Sequence, residues 1–124
     1  MDLYRRIAHI RTEEDAADVT DELNDRYGPP PQSVLTLIQV ARLRGEASQA
    51  GIVEISQKDG HLNIKFLPES FVLERVSAIY AQPGFQGRVK ILAGDTPALR
   101  LKVVREVPVI DQATAFVRAY GKSG

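Results

Sequence analysis

Gly121-Lys122-Ser123 stands in the order that closes a phosphate-binding loop, where backbone N–H groups and a lysine ammonium would cradle phosphates. The surroundings do not support that chemistry. Such a loop needs a glycine five residues before Gly121, where this chain has Phe116, and it needs a strand before it and a helix after it. The two histidines, His9 and His61, have no second ligand at metal spacing beside them, so neither begins a metal site. Ser33, Ser48, Ser56, Ser70, Ser77 and Ser123 all lie outside any nucleophile-elbow sequence. Paired-carboxylate catalysis needs a cleft that perturbs one acid, and no pattern here marks one. The expectation is a non-enzyme with no catalytic residue, no cofactor and no metal.

Two charged patterns are of a different kind. Glu14, Asp18, Asp21, Glu22 and Asp25 recur at helical spacing on the side opposite Ala16, Val19, Leu23 and Tyr27. Like charges so placed repel by a few tenths of a kcal/mol per pair (~0.2–0.5). The ordinary role of such a run is a solvated face, but a basic partner surface would also relieve it. Arg26 borders the apolar stripe, where it either joins an interface or bridges back to a carboxylate of its own domain. On the strand-like segments Lys65, Arg88, Lys90, Arg100 and Lys102 alternate with apolar residues. On one open sheet face they would neutralise nucleic-acid phosphates, although long basic side chains also simply solvate an exposed sheet. No aromatic residue alternates with them, so base stacking is not expected.

The elements that position these residues follow from hydrophobic periodicity. Leu3, Ile7 and Ile10 make a short first helix ending near Arg11. Thr12 is an N-cap, with Glu13, Glu14 and Asp15 in the first turn of a second helix whose buried stripe is Ala16, Val19, Leu23 and Tyr27. That helix ends at Tyr27, because Gly28 can take a left-handed cap conformation and Pro29-Pro30-Pro31 cannot continue it. A third helix restarts at Pro31 or Gln32 and runs to about Ser48; its broad apolar arc, Val34 to Leu43, predicts cover on more than one side.

After Gly51 the period falls to two. Ile52–Ser56 and His61–Leu67 flank Lys58-Asp59-Gly60, a hairpin signal, and Leu62, Ile64 and Phe66 share one face. Pro68 opens a fourth helix with Val72, Val76, Ile79 and Tyr80 on one side, stopped by Pro83-Gly84. Arg88–Leu92 and Ala98–Val104 form a second hairpin, and Ile110, Ala113, Val117 and Tyr120 define a last helix. The pattern predicts an α+β fold: N-terminal helices followed by two β-hairpins in a mostly antiparallel sheet, with helices packed on one face.

Composition bounds the partners. The chain has 124 residues, one domain's worth (1–124), and its 16 Lys and Arg balance 16 Asp and Glu, so no overall field draws it to nucleic acid. The halves differ: residues 1–50 carry 6 basic and 9 acidic side chains, and residues 51–124 carry 10 and 7. The absence of cysteine excludes disulfides and thiolate metal sites and fits a reducing cytoplasm. No stretch approaches the roughly 20 apolar residues that span a bilayer, so no membrane partner is expected.

Leu3-Tyr4-Arg5-Arg6-Ile7, Thr12-Glu13-Glu14-Asp15, the junction Glu22 to Pro31 and Val40-Ala41-Arg42-Leu43-Arg44 occur in an order and at separations that resemble the C-terminal domain of bacterial transcription-repair coupling factor, the Mfd family. The resemblance is specific over residues 3 to 52 and looser beyond, and the three prolines are more than the family's junction carries. It implies a regulatory module of a large DNA translocase that removes stalled RNA polymerase and recruits excision repair. It further implies a domain that packs on an N-terminal UvrB-like module and masks the surface UvrA would bind. Glu22 and Asp25, within Glu-Leu-Asn-Asp-Arg, are then the leading interface residues, with Asp18, Asp21 and Arg26 beside them. RNA polymerase and DNA would be met through the rest of the full-length protein. The alternative is a nucleic-acid-binding module using the basic sheet face.

Overall fold

The computed structural model describes residues 3–122; the Lys122 side chain and Ser123, two thirds of the Gly-Lys-Ser triplet, lie outside what is described. The fold is α+β. Helices α1 (Leu3–Ala8), α2 (Glu13–Tyr27) and α3 (Gln32–Gln49) precede strands β1 (Ile52–Lys58) and β2 (His61–Phe66), helix α4 (Leu73–Tyr80), strands β3 (Val89–Leu92) and β4 (Ala98–Lys102), and helix α5 (Val109–Lys122). The chain divides into two compact units, Met1–Glu46 and Ala47–Gly124.

In the first unit Ile7, Ile10, Ala16, Val19, Leu23 and Ile38 form the core, with Leu3, Val34 and Ala41 partly buried against it. Thr12 caps α2: its Oγ1 accepts from the Asp15 N–H at 3.0 Å. The Asp15 carboxylate reaches back one residue beyond the cap, accepting from the Arg11 N–H at 3.0 Å, so the capping box is displaced by one position. At the far end Gly28 has φ 82° and ψ −172°, and its N–H donates to Asn24 O at 3.0 Å. The φ is positive as expected, but the ψ is extended rather than left-handed helical, a combination essentially confined to glycine. The prolines follow and α3 restarts at Gln32.

Three expectations for this unit need correction. The first helix ends at Ala8, not near Arg11, and the His9 N–H is shared between the carbonyls of Arg5 and Arg6 at 3.2 Å each. Tyr27, placed by periodicity in the buried stripe, is 78% exposed. It lines a shallow notch with Leu3, Val19 and Leu23 at the edge of the first unit's core and is not part of the buried cluster. On α3 only Ile38 and Ala47 are buried hydrophobic side chains, whereas Leu37 and Val40 are exposed, so its apolar arc is wider than its cover. Gly45 of α3 lies against the backbone of Arg11, where an added Cβ would fall 2.6 Å from both Cα and O.

In the second unit the sheet order is β1-β2-β4-β3 and every pairing is antiparallel. The two-residue turn Asp59-Gly60 has φ of 52° and 75°, as a type I′ hairpin requires. Leu62, Ile64 and Phe66 of β2 and Leu99 and Leu101 of β4 are buried, as are Val76 and Ile79 of α4 and Phe116, Val117 and Tyr120 of α5. The Phe66 ring lies 4.8 Å from Tyr120 and 5.3 Å from Phe71, centroid to centroid. The Tyr120 hydroxyl donates to Ser70 O and accepts from the Val72 N–H at 2.9 Å. Pro68 opens a 3₁₀ turn, Pro68–Ser70, rather than the α-helix, which begins at Leu73. Tyr80, expected on the buried side of α4, is 38% exposed.

Candidate interaction surfaces

On a wheel of about 100° per residue Glu14, Asp18, Asp21 and Asp25 fall within one narrow sector of α2, and Glu22 lies to its side, toward Val19. The structure follows that division. Glu14, Asp18, Asp21 and Asp25 are exposed, and none makes an ion pair with another described residue. Glu22 is engaged within its own unit. One carboxylate oxygen meets Nη1 of Arg6 on α1, and the other lies 3.6 Å from Nη2 of Arg26, one helical turn on.

Of the five expected interface residues, then, Asp18, Asp21 and Asp25 share an open face, while Glu22 and Arg26 belong to an internal triad with Arg6. Sequence reasoning missed Arg6. The Glu22–Arg26 spacing of four residues was a readable pairing signal, but nothing local tells which guanidinium of Arg5-Arg6 turns toward α2. Beside the triad is a notch of about 80 Å³ lined by Leu3, Val19, Leu23 and Tyr27. It is far below the roughly 300–1,000 Å³ of small-molecule sites. In the Ala-Arg-Leu-Arg segment Arg42 pairs with Glu46 one turn on, at 3.6 Å from its Nε.

The basic residues of the second unit separate in the same way. Directly opposed residues of an antiparallel ladder share a face. Lys58, His61 and Lys102 form one row across β1, β2 and β4; Ser56, Asn63, Arg100 and Lys90 form the next across all four strands; Glu54, Lys65, Ala98 and Leu92 form the third. Lys65, Lys90, Arg100 and Lys102 therefore occupy one side, as expected, and Lys58 and His61 join them. Arg88 does not. It precedes β3 and donates from Nε to Lys102 O at 3.0 Å, from Nη1 to Gly84 O at 2.7 Å and from Nη2 to Gln112 Oε1 at 2.7 Å. All three partners lie within the unit, so Arg88 is a structural clamp.

Gln112, 5% exposed, is the other half of that clamp. Its Oε1 also accepts from the Val104 N–H, and its Nε2 donates to Val104 O and Val107 O. Both histidines use Nδ1 locally, His9 toward Arg5 O and His61 toward Asp59 O. Among the described residues no group of three or more His, Cys, Asp or Glu is placed to hold a metal ion, and no helix is long and apolar enough to cross a membrane.

Residues 1–75 match the TRCF domain family. The fold is similar to a crystal structure of the C-terminal domain of a transcription-repair coupling factor, with a TM-score of 0.81 at 16% identity, covering 97% of this chain and 77% of that one. The chain is 42% identical over 124 residues to the transcription-repair-coupling factor of Mycobacterium bovis, and 33% identical over 72 residues to that of Escherichia coli. These alignments cover 94% and 58% of this chain but 10% and 6% of those proteins. The fold is that of a transcription-repair coupling factor C-terminal domain. The chain belongs to the TRCF domain family.

Proposed function

We propose that this chain is the regulatory end domain of a transcription-repair coupling factor. In this reading residues 1–124 act as one non-catalytic, cytoplasmic interaction domain without a cofactor. It docks through the acidic face of α2 on the N-terminal UvrB-like module of the same protein and covers the surface that UvrA binds. RNA polymerase and DNA are met by the rest of the protein, and docking holds the closed form of a two-state element.

The observation that supports this reading is the unpaired row Asp18, Asp21 and Asp25. These three carboxylates face solvent from successive turns of one rigid helix, at spacings that let them reach a single partner surface. A flat, ordered row of like charge matches a basic patch and steers association toward it. Glu22 contributes from the edge of the row, its orientation fixed by Arg6 and Arg26.

The test is a titration of the chain against the purified UvrB-like module, with and without UvrA. Saturable binding that UvrA abolishes is the expected result. Absence of binding, or binding that UvrA leaves unchanged, would overturn the reading.

A further inference from the structure

The open face of the sheet concentrates cations in a way the chain's net charge of zero conceals. Lys90 stands directly opposite Arg100, and Lys102 directly opposite His61, which itself faces Lys58. Like charges directly opposed across a ladder destabilise a sheet, so the Lys90–Arg100 pair is unfavourable unless something negative lies over it, and Lys58 and Lys102 flank His61 in the next row. The protein does not supply that negative charge: Lys58, Lys90, Arg100 and Lys102 make no ion pair with any described residue. The single carboxylate on the three rows, Glu54, is taken by Lys65 at 3.4 Å. The Arg100 Nε and the Oδ1 of Asn63, directly opposite, are both buried without a hydrogen-bond partner, so a ligand on this face would meet the outer guanidinium nitrogens of Arg100 and not its Nε.

The geometry of the face selects among anions. Neighbouring strands are about 4.8 Å apart and alternate residues along a strand about 7 Å apart, so Lys58, Lys102, Arg100 and Lys90 fall within roughly 15 Å of one another. Lys58, Lys90 and Lys102 are exposed, Arg100 and His61 are half-buried, and no aromatic side chain stands among them. The surface is thus open and cationic, with no stacking platform. An ordinary protein surface mixes both signs and would set some of its own cations against these. Duplex DNA presents one negative charge per about 1.7 Å of axis with none of the other sign, so several phosphates meet the patch together.

We propose that the exposed face of the β1-β2-β4-β3 sheet binds the phosphate backbone of duplex DNA without sequence preference. The contact is independent of the acidic face of α2 and of the docking read from it, and it is a second DNA contact in addition to the one assigned above to the rest of the protein. With about four phosphates neutralised, the logarithm of affinity falls with the logarithm of salt concentration at a slope of roughly −3 to −4, about a hundredfold loss between about 50 and 200 mM.

The experiment is fluorescence anisotropy of the 124-residue chain with two labelled duplexes of unrelated sequence over a salt series. Equal affinity for both duplexes and a slope near that range are expected, with Lys90→Gln and Lys102→Gln each reducing the slope by about one. Far-UV circular dichroism verifies that the variants fold. A salt-insensitive signal, or folded variants with unchanged slope, would overturn the proposal. Displacement of the duplex by polyglutamate of equal charge would show that the face takes any polyanion and would equally overturn the assignment to DNA. Self-association in sedimentation that is lost in Asp25→Lys would do the same, since a second copy's acidic helix would then be the partner. None of these outcomes depends on binding to the UvrB-like module.

Discussion

Arg6 of α1 and Glu22 of α2 form an ion pair that ties the two helices together beside the core that Ile7 shares with Val19 and Leu23. The two charged side chains are about one-third exposed, 33% and 34%, and Arg26 closes the triad from the solvent side. Glu22 therefore has a structural duty that its neighbours Asp18, Asp21 and Asp25 lack. This changes which substitutions separate stability from binding.

Half-solvated pairs of this kind contribute about 0.2–1 kcal/mol, and screening places this one in the lower half of that range. A double-mutant cycle on Arg6→Ala and Glu22→Ala, read by urea unfolding, should return a coupling of about 0.5 kcal/mol that shrinks in high salt. A coupling of zero at low salt would mean that the pair does not form in solution.

Two glycines should fail for different reasons. Gly28 has no heavy atom within 4 Å of the place a Cβ would occupy, so Gly28→Ala or Gly28→Val loses stability purely through backbone strain at φ 82°, by about 1 kcal/mol or more. Gly45 sits in a helix at an ordinary φ, where alanine would by propensity gain about 1 kcal/mol. The collision with Arg11 reverses the sign: backbone atoms must shift, and overpacking of this kind costs about 1–3 kcal/mol. Thermal unfolding of Gly45→Ala should show a lowered midpoint, and a raised one would refute the close approach.

The difference between those glycines also marks what could be read before the structure. The Tyr27-Gly28-Pro29 junction was legible because its signals are local: a cap, a run without continuous helix, a restart. The two hairpins were legible for the same reason, through Asp59-Gly60 and the period of two. Gly45 carried no signal, since its neighbour Arg11 lies far along the chain. Tyr27 was misplaced because periodicity reports which side of a helix is apolar and not where along that side the core ends; Tyr27 lies at its edge, in a notch with Leu3 and Leu23. The acidic row was visible as a pattern, but its division into free Asp18, Asp21 and Asp25 and engaged Glu22 depends on Arg6. Arg88 was drawn into the basic face by alternation alone; its removal rests on Gln112, 24 residues away, which no spacing rule connects to it.

That clamp gives a stability prediction. Gln112→Leu keeps much of the side-chain volume but strands the Val104 N–H, the carbonyls of Val104 and Val107, and one Arg88 nitrogen. Each buried group left unsatisfied costs about 1–3 kcal/mol, and relaxation toward water recovers part of that sum. A loss of at least about 2 kcal/mol is expected, with Arg88→Gln losing less because Gln112 keeps its three backbone bonds. Equal losses in chemical denaturation would contradict the assignment of Gln112 as the centre.

The last prediction separates the open row from the engaged acid. Asp18→Lys with Asp25→Lys reverses two exposed charges that make no ion pair with any described residue, and exposed substitutions of this sort change stability by no more than about 0.5 kcal/mol. Glu22→Lys instead places a third cation between Arg6 and Arg26, so it should destabilise the first unit and also weaken docking, leaving the cause of any binding loss ambiguous. If the row steers the chain onto a basic patch of the UvrB-like module, the Asp18→Lys/Asp25→Lys variant will unfold at the wild-type midpoint while its association rate falls and loses its salt dependence. A desolvated pair would add a faster dissociation, at about 2–5 kcal/mol per broken contact, whereas rim contacts would leave the dissociation rate nearly unchanged. Stopped-flow association and dissociation over a salt series distinguish these outcomes. A variant that folds as the wild type does, and associates at the wild-type rate with the same salt dependence, would remove Asp18 and Asp25 from the interface. It would leave Glu22 as a residue that serves the packing of α1 on α2 alone.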